Sequence, residues 1–159
     1  MKAEDVEQAH KLLEEYLAKH QLVPKFSQED FAHWLLPRAG VVSSFVAQND
    51  PKDPSRITDL CSYYHLPSTV IGNPKHHTLF AAYSFYNVAN TVPLKDLMQD
   101  AMIFAKRQHQ DVFNALNLMD NQDVLQDLKF GIGDGRLQYY LYNWSCPTME
   151  AKEIGLVLL

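Results

Sequence analysis

The run Lys-Phe-Gly-Ile-Gly-Asp-Gly at residues 129–135 is the part of the sequence most suggestive of chemistry, because glycines alternate with other residues beside a carboxylate. Glycines let a backbone approach a phosphate closely, and a following helix adds its positive N-terminus. This run instead follows a predicted helix and precedes a predicted strand, the reverse of a dinucleotide-binding turn, so we reject a nucleotide site. We expect Gly131, Gly133 and Gly135 to supply positive φ angles in a tight turn that holds Asp134 among backbone amides, and Gly133→Val to disrupt that turn.

The seven histidines do not have the spacing of a metal site. No histidine pairs with another three or four residues away beside a carboxylate, and the adjacent His76 and His77 point apart on an extended chain. Ser68 has His65 nearby but lacks the flanking glycines of a hydrolase nucleophile elbow. We therefore expect no metal and no hydrolase triad, and Ser68 is more simply a loop-capping serine.

Most of the tyrosines fall in predicted strands, where aromatic side chains pack well. We expect half of them in the core and a minority along a peptide-binding groove, and composition leaves open which these are. The set is Tyr63, Tyr64, Tyr83, Tyr86, Tyr139, Tyr140 and Tyr142.

The composition is that of one ordinary globular domain over residues 1–159, with 47% hydrophobic and 21% charged residues. A formal charge of −5, with no basic run longer than Lys106 and Arg107, disfavours nucleic-acid binding driven by charge. Two cysteines are too few for a disulfide scaffold, which favours a reducing, cytoplasmic location. No apolar run reaches the roughly 20 residues that span a bilayer, so we expect a soluble protein that is not transmembrane.

Hydrophobic spacing predicts two helices followed by three strands. Apolar residues recur at helical steps over residues 5–20, and the Ser27 hydroxyl can accept from the N–H of Asp30 to begin a second helix. β-branched and aromatic residues then predict strands over residues 41–48, 57–66 and 79–88, the first two joined as a hairpin.

The second half of the chain alternates helices with strands. Residues 94–105 have helical spacing, residues 112–115 predict a short strand, and Asn121 is expected to cap a helix that ends near residue 128. Residues 137–144 alternate as a further strand, and residues 154–159 form an apolar tail. This order predicts an α/β (α+β mixed) fold in which helices cover both faces of a central mixed sheet.

The same order of elements is that of the acetyltransferase-like (GNAT-like) acyl-CoA transferase fold without its first strand. In that fold a glycine-rich turn after the fourth strand presents backbone N–H groups to the pyrophosphate of coenzyme A. The matching turn here, residues 89–93, contains no glycine. We therefore expect no coenzyme A at this turn, which disfavours an independent small acetyltransferase.

The run at residues 129–135 also resembles a signature of glycylpeptide N-tetradecanoyltransferase, the eukaryotic N-myristoyltransferase family. Residues 66–69, 81–88 and 111–116 are similar to the same family, as is the ending from residue 137 to residue 159. The resemblance covers essentially the whole chain but only the C-terminal half of that enzyme. It implies that Met1 is the start of a truncated sequence, and that the N-terminal half, which binds most of the myristoyl-CoA and carries the oxyanion hole, is a separate partner.

The resemblance further implies an acyl transfer in which the N-terminal glycine amine of a peptide attacks the thioester of myristoyl-CoA. The base would be the C-terminal α-carboxylate, here that of Leu159, whose reference pKa of about 3.3–3.7 burial should raise. Myristoyl-CoA is then the co-substrate of the complete enzyme, while this half binds no cofactor and is inactive by itself. The implied peptide contacts are Ser68, Tyr83, Asn114, Asp134, Gly135, Leu137 and Leu158.

A non-catalytic reading remains open. The chain could be a peptide- or protein-binding module derived from the same fold, which captures glycine-initiated peptides or pairs through the face that its missing half would cover. An exposed apolar patch is expected in either case.

Overall fold

Two amphipathic helices begin the computed structural model, which describes residues 1–158. Helix α1 spans Val6–Leu17 and buries Val6, Ala9, Leu13, Tyr16 and Leu17, the face that its spacing predicts. Helix α2 spans Gln28–Leu35. The Ser27 hydroxyl accepts from the backbone N–H of Asp30 at 3.1 Å, so the predicted N-cap is confirmed.

A four-stranded mixed sheet forms the centre of the fold. Its strands are β1 (Val42–Ala47), β2 (Asp59–His65), β5 (Ala81–Ala89) and β6 (Val112–Asn114), in that order across the sheet. The β1–β2 and β2–β5 pairs are antiparallel, and β5–β6 is parallel. Two short strands, β3 (Ser68–Thr69) and β4 (Thr78–Leu79), pair with each other inside the predicted loop.

Helices cover both faces of this sheet, as predicted. On one face α1 and α2 enclose a core that includes Leu60 and Val88. On the other face α3 (Leu94–Arg107) packs Ala101 and Ala105 against Cys61 of β2. The α/β fold class with a mixed sheet is thus confirmed. Among residues 1–158, no helix combines the length and apolar character needed to cross a membrane.

A bulge in β5 changes which residues face α1. Cys61 of β2 lies opposite Asn87, whereas Tyr63 lies opposite Ser84, so β5 holds one extra residue between these pairs. Phe85 and Tyr86 consequently both pack into the α1 core, with ring centroids 4.6 Å apart. Without the bulge, two neighbouring residues of a strand would point to opposite faces.

The predicted strand over residues 137–144 is wrong. No strand is found there, and in the described residues β6 is paired with β5 alone. Within residues 131–148, which we call the exposed segment, every residue except Tyr139 is exposed. Alternating polarity predicts a strand only where a neighbouring strand takes up the backbone hydrogen bonds and one face is covered, and here neither condition is met.

Helix α4 is shorter than its sequence pattern predicts, spanning only Gln122–Leu125. The predicted cap is also wrong, because Asn121 has helical backbone angles and its side chain makes no cap hydrogen bond. The Asn121 amide instead donates to the carbonyl of Leu116 at 2.9 Å. It therefore secures the loop before the helix rather than the first turn of the helix itself.

Candidate functional site

Tyr83 and Asn114 are brought together by the parallel pair of strands. Their Cα atoms are register partners on β5 and β6, and both residues are half-buried. The Tyr83 ring stacks on that of Tyr64, with centroids 5.2 Å apart and planes at 12°. Burial raises the pKa of the Tyr64 phenol, and the nearby phenols of Tyr83 and Tyr139 raise it further. Tyr64 and Tyr83 therefore form a stacked pair across β2 and β5.

The exposed segment forms one wall of an open groove of about 1200 Å³. Gly135 and Leu137 line this groove, and residues 115–118 and α4 form the opposite wall. The volume slightly exceeds the usual range of about 300–1,000 Å³ for small-molecule pockets, which suits an extended chain. The other five implied contacts do not line the groove, namely Ser68, Tyr83, Asn114, Asp134 and Leu158.

The expectation for the glycine run is wrong in its backbone geometry. Gly131, Gly133 and Gly135 do not have left-handed φ angles; the left-handed residue is Lys129, at φ 62°. A Cβ atom added at Gly133 would meet no atom within 4 Å, so neither strain nor a clash opposes Gly133→Val. The carboxylate of Asp134 is exposed and accepts no hydrogen bond from residues 1–158, so it is not held among backbone amides. Alternate glycines here leave a bare backbone beside the groove rather than a tight turn.

Ser68 and His65 do not pair. The Ser68 hydroxyl makes only a local bond to the carbonyl of Leu66 at 3.4 Å. The His65 ring lies 2.9 Å from the hydroxyl of Ser43, which itself donates to Oε1 of Gln108 at 3.1 Å. The imidazole of His65 is thus engaged by Ser43 on β1 rather than by Ser68. Burial also lowers the pKa of His65.

The tail, residues 154–158, packs on the face of the sheet that α1 covers. Leu22 and Ile154 form a parallel bridge, and the Gly155 N–H donates to the Leu22 carbonyl at 2.8 Å. Ile154, Gly155 and Val157 are buried, whereas Leu158 is 51% exposed. Leu159, the implied base, lies outside the described residues.

The backbone of the tail passes close to α1 and the residues that follow it at Gly155. A Cβ atom there would come within 3.0 Å of side-chain atoms of both Leu17 and Val23, and within 3.3 Å of His20. Contacts of 3.0 Å are shorter than ordinary van der Waals separations. A side chain at this position would therefore force Leu17 and Val23 to shift, which glycine avoids.

Two tyrosine hydroxyls hold the tail backbone. Tyr86 donates to the Gly155 carbonyl at 3.2 Å and accepts from the Val157 N–H at 3.3 Å. Tyr139 donates to the Leu156 carbonyl at 2.6 Å. Burial raises the pKa of Tyr86 to about 12, which keeps its proton in place at neutral pH. Sequence reasoning did not separate these two residues from the other tyrosines, since only the β5 bulge and the path of the tail distinguish them.

The glycine-free turn after β5 binds the carboxylate of Asp59, a residue of β2. Asp59 is fully buried, and its Oδ1 accepts from the backbone N–H groups of Asn90 and Thr91 at 2.8 Å and of Val92 at 3.3 Å. Its Oδ2 accepts from the hydroxyls of Thr58, at 2.6 Å, and Thr91. Burial alone would raise the pKa of Asp59, but these hydrogen bonds together hold it below its ordinary value. Nothing in the local sequence singles out Asp59, because a strand-start aspartate is usually exposed.

In the described part of the chain, no group of three or more histidine, cysteine, aspartate or glutamate side chains could hold a metal ion. Cys61 is buried and Cys146 is exposed, and both are free thiols. The arrangement is therefore a polar-edged apolar groove beside a fixed tail, with hydroxyl and amide groups rather than a metal centre.

The chain is similar to known proteins of one family over residues 1–157. The family described as "Myristoyl-CoA:protein N-myristoyltransferase, C-terminal domain" matches residues 1–157. A Drosophila melanogaster glycylpeptide N-tetradecanoyltransferase is 53% identical over 157 residues, which are 99% of this chain and 33% of that protein. A crystal structure of Saccharomyces cerevisiae N-myristoyltransferase with bound myristoyl-CoA is 33% identical with a TM-score of 0.75, covering 85% of this chain and 37% of that chain.

A Trypanosoma brucei acetyltransferase structure matches the fold alone, with a TM-score of 0.64 at 14% identity. It covers 89% of this chain and 96% of that chain. The predicted acetyltransferase-like fold is confirmed by these structures. The chain spans about a third of the length of the curated relatives it matches.

Proposed function

The chain belongs to the N-myristoyltransferase family, whose C-terminal domain it matches, and we propose from this premise that residues 1–159 are one domain of an acyltransferase. The complete enzyme transfers myristate from myristoyl-CoA to the N-terminal glycine of proteins. The observation that carries the proposal is the family match over residues 1–157. The relatives are about three times longer, so the remaining part of such an enzyme supplies what this domain lacks.

The groove is the proposed peptide site. Gly135 and Leu137 offer a bare backbone and an apolar wall. Tyr83 and Asn114, paired on the adjacent strands β5 and β6, offer a phenol and an amide. Ser68, the exposed Asp134 carboxylate and the half-exposed Leu158 complete the proposed contacts from outside the groove. Such groups bind peptide backbone and small polar side chains, and a carboxylate favours a basic one.

The α-carboxylate of Leu159 is the proposed base. It takes a proton from the glycine ammonium, and the free amine then attacks the thioester carbonyl carbon. A C–N bond forms, the C–S bond breaks, and the sulfur takes the second proton that the amine nitrogen loses, so coenzyme A leaves as its thiol. A positioned base contributes roughly 10²–10⁴-fold to such a reaction. The oxyanion that forms at the thioester carbonyl is stabilised by the other part of the enzyme.

This domain is proposed to hold no cofactor. Asp59 already occupies the backbone N–H groups of Asn90, Thr91 and Val92, which are the groups an acyl-CoA pyrophosphate would need at this turn. A second anion beside the buried carboxylate would be repelled and would find no free donors. Myristoyl-CoA is therefore the co-substrate of the complete enzyme, held outside this domain.

The free thiols of Cys61 and Cys146 support a reducing, cytoplasmic setting for this enzyme. Its proposed partners are glycine-initiated peptides and the N-terminal half of the same enzyme.

A binding module is the second candidate. The 86% exposed Tyr140 and the 73% exposed Trp144 would offer such a module aromatic side chains for binding, although an exposed apolar patch is expected of an enzyme half as well. Such a module would bind glycine-initiated peptides and leave them unmodified.

The test is a myristoyl-transfer assay with a glycine-initiated peptide. We expect no transfer by this chain alone and transfer by the chain extended upstream to the length of its relatives. Adding one residue after Leu159 in the extended protein should abolish transfer, because it moves the carboxylate. Peptide binding without transfer in the extended protein would instead support the binding module, and full turnover with the added residue would exclude Leu159 as the base.

A further inference from the structure

We propose that Tyr86 and Tyr139 are positioning residues that fix the register of the tail, and thereby the place of its terminal carboxylate. This inference rests on the proposed function, since it gives the tail its catalytic purpose. The geometry itself, however, is a property of residues 86, 139 and 154–158. It can be measured independently of any transfer reaction.

Tyr86 pairs with the tail as a neighbouring strand would. On an extended chain, the carbonyl of Gly155 and the N–H of Val157 point to the same side, and the Tyr86 hydroxyl lies 3.2 Å and 3.3 Å from them. One hydroxyl thus uses its proton on one group and a lone pair on the other. A slip of the tail by one residue would turn these two groups to the opposite side, so the pairing excludes a one-residue slip.

Tyr139 holds the opposite side of the same stretch. The carbonyl of Leu156 lies between the two groups that Tyr86 binds and alternates in direction with them, and it accepts from the Tyr139 hydroxyl at 2.6 Å. Tyr139 is the half-buried residue within the otherwise exposed segment. It therefore ties the wall of the peptide groove directly to the tail.

The β5 bulge is what makes the first of these contacts available. Because Phe85 and Tyr86 both face the α1 core, the Tyr86 phenol reaches the buried tail while Phe85 packs beside it. Tyr86 is fully buried. A buried hydroxyl with two backbone partners has little freedom to follow the tail if the tail shifts.

The consequence for the reaction follows from chain dimensions. Successive residues of an extended chain are separated by about 3.3–3.6 Å. A slip of one register would move the terminal carboxylate by about that distance, which exceeds the roughly 2.6–3.2 Å reach of a hydrogen bond to the attacking amine. Leu159 is two residues beyond Val157, so its position follows the register of the tail closely.

The first measurement is amide hydrogen exchange in the 159-residue chain, comparing Tyr86→Phe and Tyr139→Phe with wild type. Tyr142→Phe is the matched control, since Tyr142 is 91% exposed and does not line the groove. We expect at least tenfold faster exchange at Val157 in Tyr86→Phe, faster exchange of the tail in Tyr139→Phe, and no change in the control. Unchanged tail exchange in both phenylalanine variants would overturn the proposal. Tyr139→Phe keeps the test valid if Tyr86→Phe fails to fold, because Tyr139 is only half-buried.

The second measurement is transfer by the upstream-extended protein carrying the same changes. We expect Tyr139→Phe to lower kcat about tenfold at pH 7 with little change in the KM for the peptide, as a misplaced base requires. Faster exchange in the tail with unchanged kcat would agree with the contacts of Tyr86 and Tyr139 but overturn the role of the tail in catalysis. A lowered kcat with unchanged exchange in the tail would overturn the positioning role of the two tyrosines.

Discussion

This domain contains two kinds of irregular backbone, one held by hydrogen bonds from side chains and one not. The turn at residues 90–92 and the tail at residues 154–158 have no regular secondary structure, yet buried side chains bind their backbone groups. The exposed segment is equally irregular and richer in aromatic residues, but among the described residues none of its backbone N–H groups donates to a backbone carbonyl. The difference teaches that a buried hydrogen-bonding partner, rather than hydrophobic content, fixes irregular backbone in place.

The largest loss of stability is expected for Asp59→Ala, which removes the buried partner of the turn. It removes the acceptor of three backbone N–H groups and two hydroxyls, and charge-assisted hydrogen bonds of this kind contribute about 1.5–3 kcal/mol each without adding fully. We expect the free energy of unfolding to fall by roughly 3 kcal/mol or more. Urea denaturation followed by circular dichroism measures it, and a loss below about 1 kcal/mol would show that the turn does not depend on Asp59.

The same substitution, glycine to alanine, can be compared at Gly155 in the tail and at Gly133 in the exposed segment. At Gly155 the added methyl meets Leu17 and Val23 at 3.0 Å, so overpacking should cost about 1–3 kcal/mol. At Gly133 the methyl meets nothing within 4 Å and φ is not left-handed, so stability should hold or rise by up to about 1 kcal/mol. Thermal melting of both variants provides the comparison. Equal losses at the two positions would contradict the difference between tail and segment.

Lowering the pH should destabilise the turn at residues 90–92 and leave the exposed segment unaffected. The folded-state pKa of Asp59 is lowered, so its carboxylate contributes stability above the unfolded-state pKa of about 3.9, and that contribution is lost as pH falls through the folded value. Wild type should therefore lose more stability between pH 5 and pH 3 than Asp59→Asn does. Urea midpoints at the two pH values test this, and parallel losses in both proteins would remove Asp59 from the acid response.

The smallest effect is expected for Tyr142→Ser. Tyr142 is 91% exposed, and surface changes of this kind usually alter stability by less than about 0.5 kcal/mol. Thermal melting of this chain should therefore show no resolvable shift. A loss of 1 kcal/mol or more would mean that the exposed segment is packed in solution, and would erase the contrast.

Sequence patterns were reliable where local chemistry and burial agree. The face of α1, the Ser27 cap and the β1–β2 hairpin each follow from spacing within a few residues, and each is found. The strand predicted over residues 137–144 failed because its alternation has no neighbouring strand to pair with in residues 1–158. Local pattern does not report whether a distant partner exists.

The candidate site was only partly accessible to the same reasoning. The pairing of Tyr83 with Asn114 depends on a parallel register, and the roles of Tyr86 and Tyr139 depend on a bulge and on where the tail runs. Asp59 reaches a turn 31 residues away in sequence. All of these are long-range relations, and residue types carry no sign of them until the fold is known. The contacts implied at Ser68, Tyr83, Asn114, Asp134, Gly135, Leu137 and Leu158, and the role of Leu159 as the base, stay predictions.

The pairing of α1's flank with the tail also governs the timing of folding. Gln21 and Glu153, which share a hydrogen bond beside the Leu22–Ile154 bridge, are 132 residues apart. At about 5–20 residues per second, translation separates them by roughly 7–26 s. Throughout that interval Leu17 and Val23 of the nascent chain lack the backbone of Gly155 that packs against them. The α1 side of the domain is thus completed only after residues 153–155 have been synthesised.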